Sequence, residues 1–245
     1  MQIEVEVCVA SVEEAEVAAG CGVDRLEICS WLACGGVTPS SGLVDTVRGA
    51  VSIPVRVLIR PTPDGFHYSA AETAVLLTDA EVFGGGALGL VTGGLSPDGN
   101  MDQLLMASVK RLAPESEITY HRAIDLATDP YRLLDACLEL GIQRILTSGG
   151  ATLAMDGIST ITRLIQRAGD QLTIAIAGGI TAANVVELVE RSGAKEVHFA
   201  AQVPRASTML GTAMSSTNTG VNFNTGPDRA KMEGVLNALV KAGLR

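Results

Sequence analysis

Short apolar runs rich in β-branched residues recur along the chain, separated by polar stretches with helical patterning. The runs fall at residues 4–9, 24–29, 55–60, 87–92, 118–122, 144–147, 173–178 and 196–200. Their starts lie roughly 20 to 32 residues apart, room for one strand and one helix per unit. The pattern predicts helices over 11–19, 70–83, 101–113, 129–140, 158–168, 182–192 and 228–242. Ser11 can cap the first, with Glu14 at its third position, and Thr181 can cap the one after strand seven. Strands alternating with helices make a parallel sheet with right-handed crossovers. Eight such units in 245 residues predict an α/β fold, a (β/α)8 TIM barrel, in a single domain over 1–245. The competing arrangement is an open doubly wound sheet. That fold often has a glycine-rich first turn, and Cys8-Val9-Ala10-Ser11 has no glycine. Residues 206–227 are uncharged and rich in Ser, Thr, Asn and Gly, which predicts a long loop after strand eight.

Alternate strand residues share a face. Glu4, Glu6 and Cys8 share one, as do Arg25, Glu27 and Cys29, then Arg56, Leu58 and Arg60, and finally Glu196, His198 and Ala200. The opposite faces are mostly apolar and must meet the helices, so the polar sets point into the barrel. In strand five either Thr119 and His121 or Tyr120 and Arg122 face inward. Barrel interiors are usually filled with Val, Ile and Leu. Charges placed there must pair, Glu6 and Glu27 with Arg25, Arg56 or Arg60. Such a set is either a structural ion-pair network or part of a binding site at the C-terminal mouth, where Cys8, Cys29, Arg60 and His121 end their strands.

Composition narrows the class. Apolar residues make up 47% and charged residues 18%, which excludes disorder. The net charge of −9 argues against nucleic acid as a partner. The N-terminus lacks the basic and apolar regions of a signal peptide, and no apolar run reaches the ~18 residues of a membrane span. Five cysteines in such a chain predict reduced thiols and a cytoplasmic location.

Cys8 and Cys29 end adjacent strands, which lie ~4.8 Å apart in a sheet. They are either a soft-ion site suited to Cu(I) or two small buried hydrophobes. Cys34 lies in the following loop and could join them. Cys21 and Cys137 read as packing. Ser148-Gly149 and Gly178-Gly179 follow strands six and seven, where barrels often bind phosphate through backbone N–H groups. They are either such an anion site or simple tight turns.

Further marks run through most of the chain: Glu6-Val7-Cys8-Val9, residues 24–30 (DRLEICS), residues 35–40 (GGVTPS), Ile59-Arg60-Pro61, Pro97-Asp98-Gly99, residues 121–125 (HRAID), residues 145–149 (ILTSG) and His198. In this order they resemble the copper homeostasis protein CutC family. The resemblance implies a cytoplasmic TIM barrel, a homo-oligomer, and Cu(I) held by the matching thiols Cys8 and Cys29, with no organic cofactor. Glu6, Arg25 and Glu27 would form a charged shell around that site. The chain departs from the family's usual residues at Thr62, Leu88, Ala177, Ala200 and Gln202, and losing an Arg at Thr62 and another at Gln202 removes positive charge from the mouth. The alternative is an enzyme acting on a small anionic or phosphorylated metabolite. Its catalytic set would come from Glu6, Arg25, Glu27, Arg60, His121 and His198, with Ser148, Gly149, Gly178 and Gly179 binding the anion.

Overall fold

A computed structural model describes residues 2–85, 88–205 and 225–245. Eight parallel strands close into a barrel in sequence order: β1 (Glu4–Val9), β2 (Arg25–Ile28), β3 (Val55–Leu58), β4 (Gly89–Thr92), β5 (Ile118–Tyr120), β6 (Arg144–Thr147), β7 (Thr173–Ala177) and β8 (Glu196–Ala200). β8 returns to pair with β1 in the register Glu6↔His198 and Cys8↔Ala200. The expected (β/α)8 TIM barrel is therefore the fold. Ala87, expected in strand four, lies outside the described residues.

Eight helices cover the barrel among the described residues: α1 (Val12–Cys21), α2 (Ser41–Ala50), α3 (Ala70–Phe83), α4 (Gln103–Leu112), α5 (Pro130–Glu139), α6 (Ile158–Ala168), α7 (Val185–Ser192) and α8 (Arg229–Lys241). Most begin on a side chain that satisfies a first-turn N–H. Ser11, Ser40, Asp102, Asp129 and Asp228 act this way, and Ser69 forms a reciprocal capping box with Glu72.

The sequence pattern missed α2. Gly42 and Gly49 lower its helix propensity, and only Val44 and Val47 are buried from it. α7 starts later than expected, because Asn184 Oδ1 takes the Thr181 N–H and holds the preceding residues in a turn. Of the loop predicted over 206–227, residues 206–224 lie outside the described residues. Its end, β10 (Thr225–Pro227), is a short strand paired antiparallel with β9 (Gln202–Pro204).

The two faces of the barrel strands divide as the alternation predicts. Val5, Val7, Leu26, Ile28, Val57 and Ile145 pack outward with the helices in one core. The inner face is charged at its N-terminal tier, with Glu6, Arg56 and Arg144 buried. One pleat toward the C-terminal mouth come small apolar groups. Cys8, Cys29, Leu58 and Val91 form one cluster, and Leu146, Ala175 and Ala177 another. A Cβ on Gly89 would lie 2.7 Å from Arg56 Cγ, so only glycine on β4 leaves room for that arginine inside the barrel.

Candidate functional site

Glu6 is the hub of the charged tier. Its Oε2 accepts from Arg25 Nε at 2.8 Å and Arg56 Nη1 at 2.9 Å. Its Oε1 accepts from Arg144 Nη2 at 3.0 Å and pairs with His198 Nδ1 at 2.8 Å. Burial alone would raise the Glu6 carboxyl, but Arg144, the His198 hydrogen bond and Arg25 outweigh it and hold the group at about 2. Glu196 ties Arg25 and Arg144 together at 2.6 Å each, and Glu117 takes Arg56 Nη2 at 2.6 Å. An ionised carboxylate only accepts, so His198 Nδ1 donates in this contact and Nε2 is left for the cavity side.

The parity argument missed Arg144. A signal was present: Arg144 shares its face with Leu146, and the acids Glu4, Glu6, Glu27 and Glu196 outnumber Arg25, Arg56 and Arg60 on the inner faces. Glu27 and Arg60, both expected among the pairing charges, form no ion pair among the described residues. Arg56 opposes Glu27 in register, but its guanidinium turns to Glu6 and Glu117. Arg60 donates instead to the carbonyls of Cys34, Gly36 and Pro63, linking the loops after β2 and β3.

Above this tier lies a cavity of about 350 Å3 at the C-terminal mouth. Cys8, Glu27, Arg60, His121, His198, Gly178 and Gly179 line it, so most of the candidate residues meet there. Arg25 does not line it. Lys231 of α8 and Phe66, neither singled out from the sequence, do. Cys29 lies just behind the wall, fully buried, with its Sγ 3.4 Å from Cys8 Sγ. The Cys8 thiol also donates to Glu27 Oε1 at 3.4 Å. The Cys29 hydrogen bond and burial push the Cys8 thiol well above its ordinary 9.0. Burial likewise raises the Glu27 carboxyl, and its Oε2 has no hydrogen-bond partner among the described residues. Cys34 turns its thiol to the Trp31 carbonyl, away from the pair. Cys137 is buried in the main core, and Cys21 packs against it.

β5 ends at Tyr120, whose ring joins the outer core and whose hydroxyl donates to Gly94 O at 2.7 Å. Thr119 and His121 are the inward pair. His121 caps a single 3-10 turn, Arg122–Leu126, its Nδ1 accepting the Ala123 N–H at 3.3 Å. That places the ring proton on Nε2, which is buried without an acceptor among the described residues. Burial, with Arg60 nearby, lowers His121 to about 3, so the ring is neutral. Phe66 packs between the two, its centroid 4.7 Å from the His121 ring and 4.9 Å from Arg60 Cζ.

The glycine pairs differ from each other. Asp125 accepts from the N–H groups of Ser148 and Gly150, and Thr147 Oγ1 accepts from that of Gly149. The turn after β6 is thus filled by the chain's own carboxylate, a role for Asp125 that local spacing does not reveal. Gly178 and Gly179 sit in the left-handed region, with φ of 102° and 71°, on the cavity wall.

The CutC family model matches residues 3–203. The human copper homeostasis protein cutC homolog is 42% identical over 207 residues, covering 83% of this chain and 75% of that protein. A CutC protein of Xanthomonas campestris is 37% identical over 238 residues, covering 97% of this chain and 99% of its own. The crystal structure of CutC from Streptococcus agalactiae superposes with a TM-score of 0.74 at 26% identity, over 81% of this chain and 98% of the other. The residues matched by the family model include Glu6, Cys8, Glu27, Cys29 and His198, and the chain belongs to the CutC family.

Proposed function

We propose that this chain is a cytoplasmic copper homeostasis protein that binds Cu(I) through Cys8 and Cys29. The observation that carries the reading is the pair of buried thiols 3.4 Å apart, one of them lining the mouth cavity. Two sulfurs are the donor type a soft monovalent ion prefers. Leu58 and Val91 pack against them, so the pair has an apolar wall on one side and the cavity on the other. All five cysteines are free, as a reducing compartment requires. The names of the relatives point the same way. Membership of the family also supports a homo-oligomer, which light scattering of the purified chain tests.

The deciding experiment is an anaerobic Cu(I) titration against a chromogenic chelator. Wild type takes one equivalent tightly, and Cys8→Ser and Cys29→Ser each lose it. Equal and weak binding by all three makes the thiols packing groups and removes the copper reading.

One observation favours a second reading, an enzyme acting on a small anionic metabolite. Arg60 is buried on the cavity wall with no carboxylate against it among the described residues, and its Nε has no acceptor. Arg60, Lys231 and the Gly178-Gly179 backbone would hold the anion, and Glu27 or His121 would move a proton. Arg25 is occupied by three carboxylates, and the Ser148-Gly149 donors by Asp125 and Thr147, so neither contributes here. Millimolar phosphate or sugar phosphates then raise Tm, and Lys231→Ala reduces the rise. No change with any anion removes this reading.

A further inference from the structure

We propose that Cys8, Glu27 and His198 form a second metal-donor set, built for a borderline divalent ion such as Zn(II), with one coordination position open to the mouth cavity. One donor atom from each residue lies within 4.8 Å of the others, and all three residues are buried. The barrel itself fixes this placement. β1 lies between β2 and β8, with Cys8 opposite Glu27 and Glu6 opposite His198.

Two features of these side chains point to a cation. The first is Glu27 Oε2, an acceptor buried without any donor among the described residues. A buried carboxylate oxygen in that state is unfavourable until something positive meets it. The second is His198. Its Nδ1–H is given to Glu6, and Glu6 is held by three arginines. Metal-binding histidines commonly have their second nitrogen fixed by a carboxylate in this way, which turns the remaining lone pair toward the ion.

The donor chemistry separates this set from the thiol pair. One thiolate, one imidazole and one carboxylate suit Zn(II) or Co(II), whereas two sulfurs suit Cu(I). Three protein ligands leave a fourth tetrahedral position. All three residues line the cavity, so a water or an oxygen of a small ligand reaches that position from there. The set shares Cys8 with the thiol pair but not Cys29. It stands whether or not copper binds.

Co(II) titration of the full chain tests it, read by the thiolate-to-cobalt charge-transfer absorption, with Zn(II) then displacing the cobalt. Wild type is expected to take one equivalent with that absorption. Cys29→Ala keeps Co(II) affinity within about threefold while losing Cu(I), whereas His198→Gln and Glu27→Gln each weaken Co(II) by about tenfold or more. Glu27 stands outside the arginine network, so Glu27→Gln reads the site even where His198→Gln disturbs the fold. The proposal is overturned if wild type shows no charge-transfer band, or if Glu27→Gln binds Co(II) as wild type does. It is also overturned if Cys29→Ala alone abolishes binding, which would make the thiol pair the whole site.

Discussion

His198 and Glu6 face each other in register across the β8–β1 ladder, joined from Nδ1 to Oε1 at 2.8 Å. The contact connects the two tiers of the barrel interior. Below it, Glu6 gathers Arg25, Arg56 and Arg144. Above it, His198 reaches the cavity beside Cys8 and Glu27. The charged tier therefore acts as a rigid base that orients a group at the mouth.

Glu6 makes acid stability measurable. Its carboxyl lies at about 2 in the folded chain against an ordinary 4.5. The folded pKa is depressed, so the stabilisation is fully present above pH 4.5 and is lost as pH falls toward 2. Its size is about 3 kcal/mol by linkage. Glu6→Gln leaves the buried Arg56 and Arg144 and the half-buried Arg25 short of a carboxylate and is expected to lose about 3–5 kcal/mol at pH 7. Urea denaturation from pH 7 to 3 checks both, and the variant's stability should fall less steeply below pH 4.5 than that of wild type.

His121 acts in a higher window. Its pKa is lowered from 6.5 to about 3. The unfolded chain takes up a proton below pH 6.5 that the folded chain refuses. Stability is therefore lost as pH falls from 6.5 toward 3, by up to about 1.4 kcal/mol per pH unit from this residue. In His121→Gln the slope between pH 6.5 and 4.5 should be shallower by about that amount. An unchanged slope would mean that the ring is already protonated in the fold.

The barrel was legible because its strands repeat at regular spacing, and the inner faces of β1, β2, β3 and β8 were legible because their polar residues alternate. What failed was non-local. Parity puts Arg56, Arg60 and Glu27 inside the barrel, but strand stagger and side-chain reach decide that Arg56 meets Glu117 while Arg60 meets backbone carbonyls. The Ser148-Gly149 donors looked available because their acceptor, Asp125, lies on a different βα loop. Strand five was ambiguous because the chain leaves the strand at His121, where a helical turn begins. α2 was hidden by its own glycines.

Copper binding should depend on pH with a definite sign. Hydrogen bonding to Cys29 and burial keep the Cys8 thiol protonated at neutral pH. Cu(I) binds the thiolate, so binding releases a proton and affinity rises with pH. The expected gain is about tenfold per pH unit for each thiol proton displaced. Competition titrations at pH 6, 7 and 8 measure it directly. A flat profile would show that the metal takes no proton-bearing thiol.

Gly36 supports Cys29 from the loop side. Its φ is +89°, a region closed to most side chains. A Cβ there would lie 2.8 Å from Leu58 Cδ2, 3.3 Å from Cys29 Cβ and 3.4 Å from Cys29 Sγ. Its carbonyl also accepts from Arg60 Nη1 at 2.9 Å. Gly36→Ala must therefore strain the backbone and push on the Leu58–Cys29 contact together. The left-handed conformation alone costs about 1–2 kcal/mol for a residue with a Cβ. Gly20 is the control: it lies within α1, and a Cβ there meets nothing within 4 Å. Gly20→Ala should gain up to about 1 kcal/mol from helix propensity. Denaturation of both variants, followed by Cu(I) titration, separates strain from site geometry. Gly36→Ala is expected to lose stability and Cu(I) affinity together, while Gly20→Ala binds Cu(I) as wild type does. If Gly36→Ala lost stability but bound Cu(I) unchanged, the position of Cys29 Sγ would not govern the copper site.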